Sequence, residues 1–86
     1  MKKLVNVKYK SSYELILFFS DGMKLSVDFS PFIKGNLGGM LKDKHYFRQF
    51  SIDGSGGLTW PNGFDFCANF LFEIGKTIPT DADIAA

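Results

Sequence analysis

The stretch at residues 13–29, YELILFFSDGMKLSVDF, decides the architecture of this chain. Apolar residues alternate along it on both sides of Ser20-Asp21-Gly22, which is the period-two signature of paired strands. Two loop lengths are open to such a hairpin. With Asp21-Gly22 as a two-residue loop, Leu17 would face Ser26 and Leu15 would face Asp28, scattering apolar groups over both faces. With Ser20-Asp21-Gly22 as a three-residue loop, Gly22 takes the left-handed conformation of a G1 bulge. Phe19 then pairs with Met23, Leu17 with Leu25 and Leu15 with Val27. This register is the expected one, because it collects Tyr13, Leu15, Leu17, Phe19, Met23, Leu25, Val27 and Phe29 on one buried face. The opposite face carries Glu14, Ile16, Phe18, Lys24, Ser26 and Asp28. A sheet face turned to water is polar, so Ile16 and Phe18 predict a cover: strand neighbours, the C-terminal helix or a second molecule.

Upstream, residues 3–9 read as a strand with Val5, Val7 and Tyr9 on one face and Leu4, Asn6 and Lys8 on the other. Downstream, Ser30 is the expected N-cap of a helical turn with Pro31 in its first position, ended by Lys34-Gly35-Asn36. The paired glycines of Leu37-Gly38-Gly39-Met40-Leu41 argue against a stable helix there. Asp43 opens a short helical segment over 45–50 that sets Tyr46, Phe47 and Phe50 onto the sheet. Two short strands, 51–53 and 58–60, flank Gly54-Ser55-Gly56-Gly57, and Trp60-Pro61-Asn62-Gly63 is a turn signal. Asp65 is expected to cap a helix over 66–74, stopped by Gly75, with Phe66, Phe70 and Ile74 on one face. The expected fold is α+β: a small antiparallel sheet of about five strands in β-β-β-α-β-β-α order with helices packed on it. A single domain is expected over 1–75, with a C-terminal tail over 76–86.

The 86 residues leave room for one core and no second folding unit. A chain of this size buries only roughly 60–65% of the surface that its unfolded form exposes, so large side chains must make up the difference. Ten Phe, three Tyr and one Trp do so, each removing about 150–250 Å² from water when buried. Ten Lys and Arg against nine Asp and Glu give a net charge of +1 with the signs interspersed, which argues against a general grip on phosphates. The basic cluster Lys2, Lys3, Lys8 and Lys10 is read as a solvated strand edge, with weak nucleic-acid binding as the alternative. One cysteine, Cys67, excludes an internal disulfide and is too few for a structural zinc site. The apolar run at 15–19 is far short of the ~20 residues needed to cross a bilayer. No charged, apolar, small-residue run of the signal-peptide kind is read in these residues, so a cytoplasmic protein without a membrane partner is expected.

No catalytic, cofactor-binding or metal-binding residues are assigned. A small enzyme is kept as an alternative, using Cys67 with His45 as base, or carboxylates among Asp28, Asp65 and Glu73. A cysteine on an apolar helix is more often a small core residue, and Asp65 and Asp28 already have local roles in the chain. The glycine loop at 54–57 lacks the Lys-Ser/Thr ending of a phosphate-binding loop. The more specific constellation is Trp60, Asn62 and Asp65 around the Pro61 turn. A fixed Trp offers wide contact area at low entropy cost, so these residues with Ile16 and Phe18 form the candidate recognition surface. The competing reading is that Trp60 plugs the edge of the core.

Several of these elements together resemble a known family. They are Phe19-Ser20-Asp21-Gly22, Val27-Asp28, residues 32–35, Leu41-Lys42-Asp43, Phe47, Trp60-Pro61-Asn62-Gly63-Phe64-Asp65 and Leu71-Phe72-Glu73. The chain is similar over about residues 3–75 to the bacterial domain of unknown function 2442, and the Trp-Pro-Asn-Gly element with its aspartate is the specific part. The sequence departs from the pattern at Ala68, where a proline would open the last helix. The resemblance implies a small antiparallel sheet with helices, and a neighbouring gene for a small protein in an arrangement like a toxin-antitoxin pair. The resemblance also implies that some longer members carry an additional C-terminal helix-turn-helix, and this chain is expected to end before it. The function expected is therefore a non-catalytic binding module contacting a small protein encoded nearby, in an antitoxin-like or regulatory role. A homo-oligomer through the second sheet face is the other partner considered.

Overall fold

The computed structural model describes residues 2–77. The hairpin adopts the three-residue register. Strands β2 (Glu14–Phe19) and β3 (Lys24–Asp28) pair with Leu15 opposite Val27 and Leu17 opposite Leu25. Gly22, at φ 90°, donates its N–H to the Phe19 carbonyl at 3.0 Å, and Phe19 N–H donates to the Met23 carbonyl at 2.9 Å. Leu15, Leu17, Phe19, Leu25, Val27 and Phe29 are all buried, so this face is the floor of the core.

Strand β1 (Leu4–Ser11) pairs antiparallel with β2, but with its first residues reversed from expectation. The register shifts between Leu4 and Asn6, so Leu4 lies opposite Phe19 while Val5 is left out of the pairing. Val5 is 60% exposed and Leu4 is buried. The bulge inserts one residue and so inverts the alternation that groups Val5 with Val7 and Tyr9. Beyond it, Val7 and Tyr9 do pack on the core.

The expected single sheet of about five strands is corrected to two antiparallel sheets. Strands β4 (Ser51–Ile52), β5 (Leu58–Thr59) and β6 (Asp65–Phe66) form a meander of their own. Strand β7 (Lys76–Thr77) pairs with β3, making the first sheet β1-β2-β3-β7. Lys76 and Thr77, expected in the tail, thus belong to the sheet, and residues 78–86 of that tail lie outside the described residues. Each of these four strands is two residues long, too short to show a period in sequence. The pairing of β4, β5 and β6 follows from the turns. Asp53–Gly57 and Trp60–Phe64 repeat the bonding of Phe19–Met23. Gly56 donates to the Asp53 carbonyl at 3.1 Å and Gly63 to the Trp60 carbonyl at 3.0 Å, both glycines at φ 90°. One hairpin design is therefore built three times. The sheets are joined where Leu4 N–H donates to the Gly56 carbonyl at 2.8 Å.

The connecting helices are short: a 3-10 turn at Ser30–Phe32, α1 (Gly35–Gly39), a second 3-10 turn at Met40–Lys42, α2 (Lys44–Phe47) and α3 (Ala68–Ile74). Asp43 caps α2 as expected, accepting from His45 N–H at 2.9 Å. Three other expectations are corrected. Ser30 is the first residue of its turn rather than the cap, and Asp28 Oδ1 accepts from both its N–H (2.9 Å) and its hydroxyl (2.7 Å). The glycine-rich stretch is helical because packing outweighs propensity: a Cβ at Gly38 would lie 2.4 Å from the Phe32 carbonyl oxygen, so the glycine permits the contact. Asp65 does not cap the last helix, since Asp65 and Phe66 pair with Thr59 and Leu58 as β6. The helix begins at Ala68, in the first helical position, where the proline that the resemblance implied would cost no backbone hydrogen bond.

Aromatic rings fill the space between the sheets. Phe29 lies in edge-to-face contact with Phe47, Trp60 and Phe66, at centroid distances of 6.0, 5.8 and 5.2 Å. Ala68 and Leu71 of α3 close the core from one side.

Candidate functional site

The outer face of the first sheet ends in an open concavity of about 360 Å³ lined by Glu14, Ser26, Val27, Asp28, Pro31, Phe32, Ile74 and Lys76. The ladder creates it: Glu14 opens β2 directly opposite Asp28, the last residue of β3, and Lys76 of β7 lies opposite Ser26. Ser26 Oγ donates to Glu14 Oε2 at 2.9 Å, and Lys10 Nζ lies 3.6 Å from the same oxygen. Ser30 N–H, the Ser30 hydroxyl and the nearby Lys76 charge hold the Asp28 carboxyl below the ordinary carboxylate range. Asp28 is thus a fixed anion near neutral pH, suited to accepting hydrogen bonds rather than to delivering a proton. Phe32 and Ile74 supply an apolar wall that continues to Phe70, whose ring centroid is 5.9 Å from that of Phe32. Phe70 and Ile74, expected to share a helix face, do so on the outside of α3, 38% and 36% exposed.

Ile16 and Phe18 lie on the same outer face and are half-buried. Their cover comes in part from the neighbouring strands: Lys8, opposite Ile16, and Lys24, opposite Phe18, place their ammonium groups 5.7 and 5.9 Å from the Phe18 ring centroid. Long lysine stems laid along apolar surface reconcile two large side chains with a wet face.

The Trp60 constellation does not join this surface. Trp60 is buried and its indole Nε1 donates to the Phe47 carbonyl at 2.8 Å, so the indole belongs to the core. Asn62 ties its turn to the helical stretch: its amide donates to the Leu37 carbonyl at 3.2 Å, while its Oδ1 accepts from Phe64 N–H at 3.0 Å. Asp65 is exposed on β6. Of the five predicted recognition residues, Ile16 and Phe18 are brought together. Glu14, Ser26, Ile74 and Lys76 line the concavity on the same side and were not among those five. The hairpin register already placed Glu14 and Ser26 beside Ile16, but nothing in the sequence announced that β7 would bring Lys76.

Cys67 is exposed and precedes α3, not the buried core residue its type suggests, and His45 is exposed on α2. No hydrogen bond joins Cys67 and His45 among the described residues. The basic cluster is dispersed as well. Lys2 forms an ion pair with Asp21 and sits over the Phe72 ring, while Lys10 turns to Glu14. Lys3 packs its stem on Gly56. Among the described residues, no group of His, Cys, Asp or Glu is arranged to hold a metal ion, and no helix is long and apolar enough to cross a membrane.

A search of curated proteins found no match, and neither did a search of solved structures. The family comparison did: the model of the protein of unknown function DUF2442 matches residues 4–77, from the first residue of β1 to the last of β7. The three glycine-closed hairpins, the Val27-Asp28 strand end and the Trp60 turn all fall within that span, and the chain belongs to the DUF2442 family.

Proposed function

We propose that this domain is a non-catalytic binding module that contacts a small protein partner, in an antitoxin-like or regulatory role, through the outer face of its first sheet. The observation that carries the reading is the continuity of that face: Ile16 and Phe18 lead to the Glu14–Asp28 concavity, whose wall is the exposed Ile74. An apolar strip beside carboxylates and a lysine is the composition of a specific contact, with area from the first and orientation from the second. The same face is the one through which two copies of the chain would associate. The small-enzyme alternative has less support, because Asp28 is engaged as a turn anion and Cys67 is not among the residues that line the concavity.

The experiment is co-expression with the product of the neighbouring gene, the partner carrying the tag. Co-elution is expected, together with relief of any growth defect that the partner causes alone. An Ile16→Lys, Ile74→Lys double variant is expected to fold and to lose the complex. A stable monomer by light scattering that retains no partner counts against both the binding role and the homo-oligomer.

A further inference from the structure

A second surface has a different chemistry. Lys42, Lys44 and Arg48 are exposed around α2, and among the described residues none of them forms an ion pair with a carboxylate. The one acidic residue within 42–48 is Asp43, whose carboxylate accepts from His45 N–H at the start of the helix. Two tyrosines hold two of these cations in place. The Arg48 guanidinium lies 4.6 Å from the Tyr9 ring centroid and Lys44 Nζ lies 5.7 Å from that of Tyr13. The Tyr13 hydroxyl donates to the Lys42 carbonyl at 2.6 Å. Both tyrosine rings pack edge-to-face on buried Phe47, at 6.2 and 5.4 Å, so the platform is anchored in the core.

We propose that Lys44 and Arg48, mounted on Tyr13 and Tyr9, form with the adjacent Lys42 a docking surface for a carboxylate-rich segment of another protein. Charge complementarity selects an anionic partner, because unneutralised cations gathered on one surface stand out in a chain whose net charge is +1. Arg48 supplies the planar fork that fits a carboxylate, and its ring contact pre-organises it. The same geometry disfavours a nucleic acid. Each of the two tyrosine rings already carries a cation and packs on Phe47, so neither is a free platform on which a base would stack. Lys8 and Lys10 turn to the opposite sheet face, toward Phe18 and Glu14, so no basic track continues from α2 along β1. This surface is separate from the Ile16–Ile74 face, and the inference stands whether or not that face binds a partner.

Fluorescence polarisation with a fluorescein-labelled oligo-glutamate peptide tests it, with a single-stranded oligothymidylate of equal charge as comparison. The wild-type domain is expected to bind the peptide more tightly than the oligonucleotide, and to lose affinity as salt rises. Lys44→Glu with Arg48→Glu is expected to weaken peptide binding by at least about tenfold. Lys8→Glu with Lys10→Glu, on the other face, is expected to stay within about twofold. Lys44→Gln with Arg48→Gln removes the charge without reversing it, and supplies the comparison if the reversed pair does not fold. No binding of the peptide, equal losses from the two faces, or tighter binding of oligothymidylate each overturns the proposal.

Discussion

The Trp60 indole donates to the backbone carbonyl of Phe47 at 2.8 Å, tying the turn after β5 to the C-terminal end of α2 inside the core. The bond satisfies a polar group on each side where water is excluded, and it sets the indole against Phe29, Phe47 and Phe66. The conspicuous Trp-Pro-Asn-Gly element is therefore a packing device. Trp60→Phe leaves the Phe47 carbonyl without its donor and opens a small void, so a loss of about 2–4 kcal/mol is expected. Urea unfolding followed by circular dichroism measures it, and a loss below about 1 kcal/mol would contradict the role assigned to the bond.

Gly22, Gly56 and Gly63 close the same turn at φ 90° but have different surroundings. A Cβ at Gly22 or Gly63 meets open space, so alanine there costs the left-handed conformation alone, about 1–2 kcal/mol. At Gly56 a Cβ would lie 2.7 Å from Lys3 Cβ and 3.1 Å from Lys3 Cα. Gly56→Ala is thus expected to cost at least about 1 kcal/mol more than the other two, because β1 itself must shift. Thermal melts of the three variants rank them, and equal losses would mean that the sheet junction is not tight.

The bulge at Val5 makes neighbouring residues respond oppositely. Leu4→Ala empties a buried site opposite Phe19 and is expected to cost about 2–4 kcal/mol. Val5→Ala is expected to stay within about 0.5 kcal/mol. If the two losses were exchanged in denaturant titrations, β1 would have the regular alternation and no bulge.

Acid titrates the turns. Asp28 is held below its ordinary pKa by the Ser30 N–H and hydroxyl, and Asp53 by the Gly57 N–H and by the Ser55 hydroxyl and N–H. A depressed carboxyl pKa in the folded state contributes stability that is complete above the ordinary value of 3.8 and is lost as pH falls through the folded value. Unfolding midpoints are expected to hold from neutral pH down to about 4 and then to fall. The Asp28→Asn, Asp53→Asn pair should flatten that acid limb, since asparagine still accepts the turn hydrogen bonds without titrating. An unchanged acid slope in the double variant would place the effect on other groups.

Much of the first sheet was legible because its evidence is local and repeated. Alternation over residues 13–29, with one glycine to close the turn, leaves a single register that buries Leu15, Leu17, Phe19, Leu25 and Val27 together. The second sheet was legible only as two strands and two turns. Its third strand, Asp65–Phe66, reads in sequence as the start of a helix, and only pairing with Thr59 and Leu58 makes it a strand. At the candidate recognition face, Ile16 and Phe18 declared themselves by breaking a polar pattern, whereas Lys76 came into place through a two-residue strand.

Residue order alone thus determined the elements whose period spans several residues: the β2–β3 register, the α+β class, and the excess of apolar surface at Ile16 and Phe18. Tertiary structure decided whatever depends on one partner at long range. It placed Trp60 inside rather than outside, put Val5 in a bulge, made α1 from Gly35–Gly39 and gathered Lys42, Lys44 and Arg48 around two tyrosines. The physical reason is that periodicity averages over many side chains. A single hydrogen bond such as Trp60 to Phe47, or a single close approach such as Gly38 to Phe32, exists only once the distant residue has arrived.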